Sequence, residues 1–375
     1  MILAAARRTA CVSWPVQSGD DCKFNQPAYA GRSPETRSST PFGLEVQSLP
    51  PFPGVSMMLR RCLVLSALLL PLAWGAVGEA QDKEKAKPKK FQPGDIHLAL
   101  GNPSDAKHDP KDPDPHNFLM VKEQFALSYN SKQGIPNWVS YRLRKDDMGR
   151  APRPQDAFHP DPDLPKGFYA VKPFDYHFNR TGMSRGHMCP SSHRSDNVED
   201  GKATFVMTNM VPQTEELNDG AWKFLEIYCA DLVRRENKEL FIVCGPLGSG
   251  GKSVKGTFKT IGDGRVAVPS HCWKVVAVLD GGGTRGPLAR FNKNTRLISV
   301  IMPNDTTPEK KPWDDYTVSI NEVEKRTGLK FFDKVAPEVL NPLRKRVDKG
   351  AMIDLVEPRL IARDERLERT SPESE

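Results

Sequence analysis

Met183-Ser-Arg-Gly-His-Met-Cys-Pro190 and Thr208-Asn-Met-Val-Pro-Gln-Thr-Glu-Glu-Leu-Asn-Asp-Gly-Ala-Trp-Lys-Phe-Leu-Glu226 hold polar side chains that a core would not ask for. In the first, an extended strand puts Arg185 and His187 on one side, and Gly186 lets the backbone approach another group closely. An imidazole can take a proton from water near neutral pH, and a guanidinium can hold anionic oxygens by two parallel hydrogen bonds; together they suit phosphate chemistry. The second stretch reads as a helix from about Asn218 to Arg235, because Trp222, Leu225, Cys229 and Leu232 recur at three- and four-residue spacing. Asn218 at its start and Glu226 eight residues on, roughly 80° around the axis, offer an oxygen donor and a carboxylate. Few protein ligands and many waters is how Mg²⁺ is usually held at phosphate-processing sites. Each residue also has an ordinary reading: Asn218 as an N-cap, His187 as a hydrogen-bonded structural histidine, Glu226 as a solvated helix face.

Outward from these stretches the chain reads as mixed α and β around a central sheet. Phe118–Val121 and Trp138–Leu143 have strand composition, the latter alternating Trp138, Ser140 and Arg142 against Val139, Tyr141 and Leu143. Glu239–Cys244, Cys272–Leu279 and Arg296–Met302 are short apolar runs suited to buried strands, and Ile320–Thr327 is a helix closed by Gly328. Gly245-Pro-Leu-Gly-Ser-Gly-Gly-Lys-Ser253 ends like a phosphate-binding loop, but Pro246 stands where the first glycine belongs and no helix follows, so it reads as a strand connector.

Ser184-Arg-Gly-His187, then Asn209-x-x-Pro-Gln213, then Asn218-x-x-x-Trp222-x-x-x-Glu226 resemble, in order and spacing, the DNA/RNA non-specific endonucleases of the ββα-metal type. The resemblance spans roughly Asn117 to Phe332 and departs at Ser184, where the family commonly has aspartate. It implies an α+β, His-Me finger nuclease fold, with a central antiparallel sheet flanked by helices. It also implies roles for the matched residues. His187 would be the general base, and Asn218 the direct protein ligand of one divalent ion, usually Mg²⁺, with Mn²⁺ or another ion as alternatives. Glu226 would hold water in that ion's outer shell, Asn209 would order the site, and Arg185 would neutralise transition-state charge and bind phosphate. The family's further arginine, on a loop before the histidine, has two candidates in Arg150 and Arg153. DNA and RNA are the implied substrates; a fold that kept nucleic-acid binding and lost the chemistry is the alternative.

The 375 residues, 38% hydrophobic and 27% charged, exclude a wholly disordered chain and a multi-span membrane protein. The net charge of +7 permits a polyanionic partner without indicating one. Met57-Met-Leu-Arg-Arg61 followed by the apolar run Cys62–Val77 and Gly78-Glu-Ala80 reads as a secretory signal cleaved before Gln81, being short for a span and broken by Pro71. Residues 1–56 then read as a non-native extension, 81–116 as linker and Pro/Asp-rich loops, 117–357 as the endonuclease domain and 358–375 as a charged tail. The mature chain would carry +5, be secreted or periplasmic, and have no stable membrane association. In an oxidising compartment Cys189, Cys229, Cys244 and Cys272 permit two disulfides. A zinc site at Cys189, His193 and their neighbours lacks the paired spacing of a zinc knuckle.

Overall fold

Continuous apolar runs along the strands dictate a sheet that is apolar on both faces, and the computed structural model, which describes residues 96–155 and 157–349, has one. The extension 1–56, the signal segment 57–80, the linker up to residue 95 and the charged tail 358–375 lie outside the described residues.

In the first half of the chain the strands are β1 (Phe118–Val121), β2 (Ala126–Asn130), β3 (Ile135–Leu143), β4 (Met183–His187) and β5 (Met210–Thr214). They are followed by β6 (Lys238–Leu247), β7 (Gly251–Ser253), β8 (Gly256–Phe258), β9 (Thr260–Ile261), β10 (Val266–Ala267), β11 (His271–Asp280) and β12 (Arg296–Pro303). The helices are α1 (Phe178–Thr181), α2 (Val198–Ala203), α3 (Glu215–Asn218), α4 (Ala221–Glu236), α5 (Pro287–Arg290), α6 (Ile320–Thr327) and α7 (Pro337–Arg344). All five strand expectations coincide with strands, and α6 has the expected bounds.

Six strands form one sheet in the order β1-β2-β3-β6-β11-β12, every pair antiparallel. Val139, Tyr141, Ile242, Cys244, Val276 and Val300 point to one face, where the α4 stripe of Trp222, Leu225, Cys229 and Leu232 covers them. Trp138, Phe241, Val243, Trp273 and Val275 point to the other, under Ile320 and Val323 of α6 and Leu340 and Leu343 of α7. This two-sided burial explains why β6 and β11 are near-continuous apolar runs.

Three expectations need correction. The helix expected from Asn218 is broken: Thr214 Oγ1 accepts from Leu217 N–H (3.2 Å) to cap α3, and α4 starts only after Gly220. A Cβ at Gly220 would lie 2.1 Å from the Glu216 carbonyl oxygen, so this close turn requires glycine. Asn218 therefore ends a short helix and is no N-cap of the long one. Second, the folded domain starts before Asn117, since Leu98, Leu100 and Ala106 are buried in the core of the α6/α7 face. Third, Cys189, Cys229, Cys244 and Cys272 are all free thiols buried on the α4 face, one on a turn, one on α4, one on β6 and one on β11. Burial pushes Cys189, Cys229 and Cys272 up to about 12, so they stay protonated. His193 is bonded to protein on both ring nitrogens, to Tyr141 Oη (3.2 Å) and the Glu226 carbonyl (3.0 Å). Among the described residues no group of three His, Cys, Asp or Glu could hold a metal. As expected, the glycine-rich segment after β6 turns into the β7–β8 hairpin.

The structure also buries His97 as a neutral ring. Its Nδ1 accepts from Arg142 N–H (3.1 Å), so Nε2–H donates to the Glu123 carbonyl (2.9 Å). Burial holds both His97 and His193 down to about 3, below the ordinary 6.5. Stability is therefore complete above about pH 6.5 and is lost as pH falls, because only the unfolded chain takes up these protons. Each ring contributes a slope of about 1.4 kcal/mol per pH unit in that window. Urea unfolding at pH 7.5, 6 and 5 should show this decline, and His97→Gln should make it shallower. An unchanged slope in that variant would contradict the assignment.

Candidate active site

The β4–β5 ribbon pairs Ser184 with Gln213 and His187 with Met210, and the chain passes from β5 through α3 into α4. Strand alternation puts Arg185 and His187 on one face and Ser184 and Gly186 on the other, toward the buried Gln213. A Cβ on Gly186 would lie 2.0 Å from Gln213 Oε1 and 2.5 Å from its Cδ, which is why glycine separates the arginine from the histidine.

Asn209 locks the turn that follows His187. Its Nδ2 donates to the carbonyls of Cys189 (2.9 Å) and Thr204 (2.8 Å), and its Oδ1 accepts from Cys189 N–H (2.9 Å). It is fully buried and does not line the cavity around His187.

Arg150, Arg153, Arg185, His187, Asn218 and Glu226 line one cavity of about 680 Å³. The fold thus gathers all the expected site residues except Asn209. Ser184 is absent from the lining as well and lies on the far face of β4. Both candidate arginines reach the cavity. Arg153 is the better held, donating to Ser191 Oγ (3.2 Å) and lying 5.3 Å above the Phe205 ring. Arg150 is exposed at the edge.

His187 is buried among aromatic rings, edge-on to Phe205 at 4.7 Å and beside Phe158 at 5.5 Å, while the Arg185 guanidinium stacks 4.3 Å over Phe158. Among the described residues nothing hydrogen-bonds His187 Nε2. Burial, then the charges of Arg153 and Arg185, hold its pKa well below the ordinary histidine range, so the ring is neutral and can accept a proton.

Glu226 is only 12% exposed, and its Oε1 accepts from Lys274 Nζ at 3.0 Å. Burial raises its carboxyl above the usual range, and Lys274 opposes that. The spacing of Asn218 and Glu226 thus works across a helix break, with one residue ending α3 and the other on the second turn of α4.

Lys223 and Arg234, also on α4, add to the cavity's basic side, Lys223 pairing with Asp219 at 4.0 Å. These two, with Phe158, Phe205 and Lys274, were not singled out from sequence. Lys274 alone carried a signal: it is the one charged residue in the apolar run Cys272–Leu279.

Residues 104–338 match the family described as DNA/RNA non-specific endonuclease. A nuclease of Nostoc sp. is 45% identical over 68% of this chain and 86% of that protein. The mitochondrial nuclease EXOG of Homo sapiens is 34% identical over 55% of this chain, and the match spans about half of its own length, 55%. A chain in the crystal structure of the EndoG/EndoGI complex is 25% identical with a TM-score of 0.52, covering 66% of this chain and 93% of that one.

The Gly186 contact is directly testable. Gly186→Ala should displace the Gln213 side chain and destabilise the fold by about 1–3 kcal/mol, the usual range for overpacking. A urea midpoint equal to the wild type would show that the ribbon has room for a methyl group.

Proposed function

The chain belongs to the DNA/RNA non-specific endonuclease family, an enzyme hydrolysing phosphodiester bonds, and from that premise we propose that His187 is its general base and that DNA and RNA are both cleaved with a divalent ion held at Asn218. The observation that carries this reading is the buried, unpartnered Nε2 of a neutral His187 in the same cavity as Asn218 and Glu226.

His187 Nε2 takes a proton from the water that attacks phosphorus. Its low pKa keeps it ready for that proton at neutral pH, and the Phe158 and Phe205 rings fix its plane. Arg185 and Arg153 converge on the same cavity and hold the non-bridging phosphate oxygens as negative charge builds. Their own planes are set by the aromatic rings beneath them.

The donor set fits a hard cation: a partly exposed carboxamide oxygen at Asn218 and the Glu226 carboxylate line the cavity, with no Cys/His cluster among the described residues. Asn218 would hold the ion directly, Mg²⁺ in our reading, and Glu226 would orient its waters. When bound, the ion polarises the phosphate and stabilises the leaving 3′ oxygen. Contacts to phosphate and metal carry no base information, so little sequence preference follows.

Purified residues 81–375 should degrade supercoiled plasmid and single-stranded RNA with Mg²⁺ and not with EDTA. His187→Ala should lower turnover by at least about a hundredfold, in line with loss of a general base, and retain folding and nucleic-acid binding. Asn218→Ala should raise the Mg²⁺ needed for half-maximal rate. Because His187 acts when neutral, activity should persist below pH 6.5 and fall only as pH drops through its lowered pKa. Wild-type turnover in His187→Ala would remove the base, and an unchanged Mg²⁺ titration in Asn218→Ala would remove the ligand.

We also propose export, on the pattern of Met57–Ala80 alone. No helix among the described residues is long and apolar enough to cross a membrane. Protein recovered from the periplasm or medium should begin at Gln81; recovery only from the cytoplasm with residues 57–80 attached would reject export.

A further inference from the structure

Lys274 sits in the middle of β11, opposite Cys244 of β6 and Val300 of β12, on the sheet face that α4 covers. Its side chain is 0% exposed. An unpaired ammonium in such a place costs several kcal/mol, and a hydrophobic residue between Cys272 and Val276 would suit the core without that penalty. The charge has two partners, both on α4 and one turn apart: the Trp222 ring, whose centroid is 4.0 Å from Nζ, and Glu226 Oε1 at 3.0 Å.

The other groups around the pair supply no competing carboxylate. Cys189, Cys229 and Cys244 are protonated thiols, Tyr141 is held far above its ordinary pKa by burial, and His193 is neutral and bonds the Glu226 backbone carbonyl. Arg153 acts on Glu226 from the cleft side. Among the described residues the only ion pair of Lys274 is with Glu226. Lys274 itself does not line the cavity, whereas Glu226 does.

We infer that Lys274 is a positioning residue of the reaction, anchoring one carboxylate oxygen of Glu226 from inside the core so that the carboxylate meets the cleft in one orientation. A partner in this position commonly changes activity or metal affinity by about 10–100-fold when removed. The inference rests on the reading that Glu226 serves the reaction.

Lys274→Met, Glu226→Gln and the double variant, with Mg²⁺ saturating and plasmid as substrate, test both. Lys274→Met should lower kcat about tenfold or more with KM little changed, and the double variant should match Glu226→Gln within about twofold, since the lysine acts only through that carboxylate. The Tm of Lys274→Met, which leaves a buried carboxylate unpaired, should rise again in the double variant. The Tm increase given by Mn²⁺ should shrink alike in all three, a readout independent of turnover. Wild-type kcat in Lys274→Met beside a slow Glu226→Gln overturns the inference and leaves Glu226 in place. Wild-type kcat in Glu226→Gln removes both. Multiplied losses in the double variant would mean that Lys274 acts by another route and also overturn it. Should Lys274→Met alone not fold, multiplied losses in the double variant relative to Glu226→Gln would still overturn the inference.

Discussion

Trp222 is the contact through which the separate pieces of the site meet. It is buried on the first turn of α4, its indole N–H reaches toward the His187 carbonyl at 3.4 Å, and its ring covers the Lys274 ammonium. The helix that carries Glu226, the ribbon that carries His187 and the sheet that carries Lys274 are thus held by one side chain. The spatial relation of His187 and Glu226 depends on that packing together with the Lys274–Glu226 ion pair and the apolar stripe of α4 on the sheet. An aromatic ring serves here through both its area and its electron-rich face.

Burial then sets the chemistry. The rings of Phe158 and Phe205 exclude water from His187, and the arginines stacked on those rings add positive charge beside it; both effects favour the neutral imidazole. The opposite problem is solved at Glu226, where burial would neutralise a carboxylate. There the buried Lys274, held above its ordinary pKa by Glu226 against its own desolvation, keeps a charge of opposite sign beside it. One low-dielectric environment thus holds an imidazole uncharged and a carboxylate paired, with the difference set by the neighbouring charges.

All strands of the large sheet except β2 were readable because each is short, apolar and bounded by turn residues, and the alternation of Trp138 and Tyr141 correctly assigned their two faces. The break at Gly220 was not readable, since Asn218 and Glu226 keep the same spacing whether the helix is continuous or not. Leu98, Leu100 and Ala106 were missed as core because a segment of prolines and aspartates gives no periodic signal, yet its few apolar residues find the open face of the sheet. The cysteines allowed disulfides on number alone; their thiols instead fill separate positions in one core.

The order and spacing of Arg185, His187, Asn209, Asn218 and Glu226 were determined by the sequence itself, as were Gly186 between the two cleft residues and the lone lysine in an apolar strand. Local spacing could specify these because a strand alternates every two residues and a helix returns every 3.6. Only the tertiary structure decided that Asn209 stays out of the cleft, that Arg153 is the better-held arginine, and that Lys274 meets Glu226 from 48 residues away. Those outcomes depend on which elements pack against one another, and a pKa or an ion pair is a property of the whole surrounding shell, to which distant segments contribute as much as near ones.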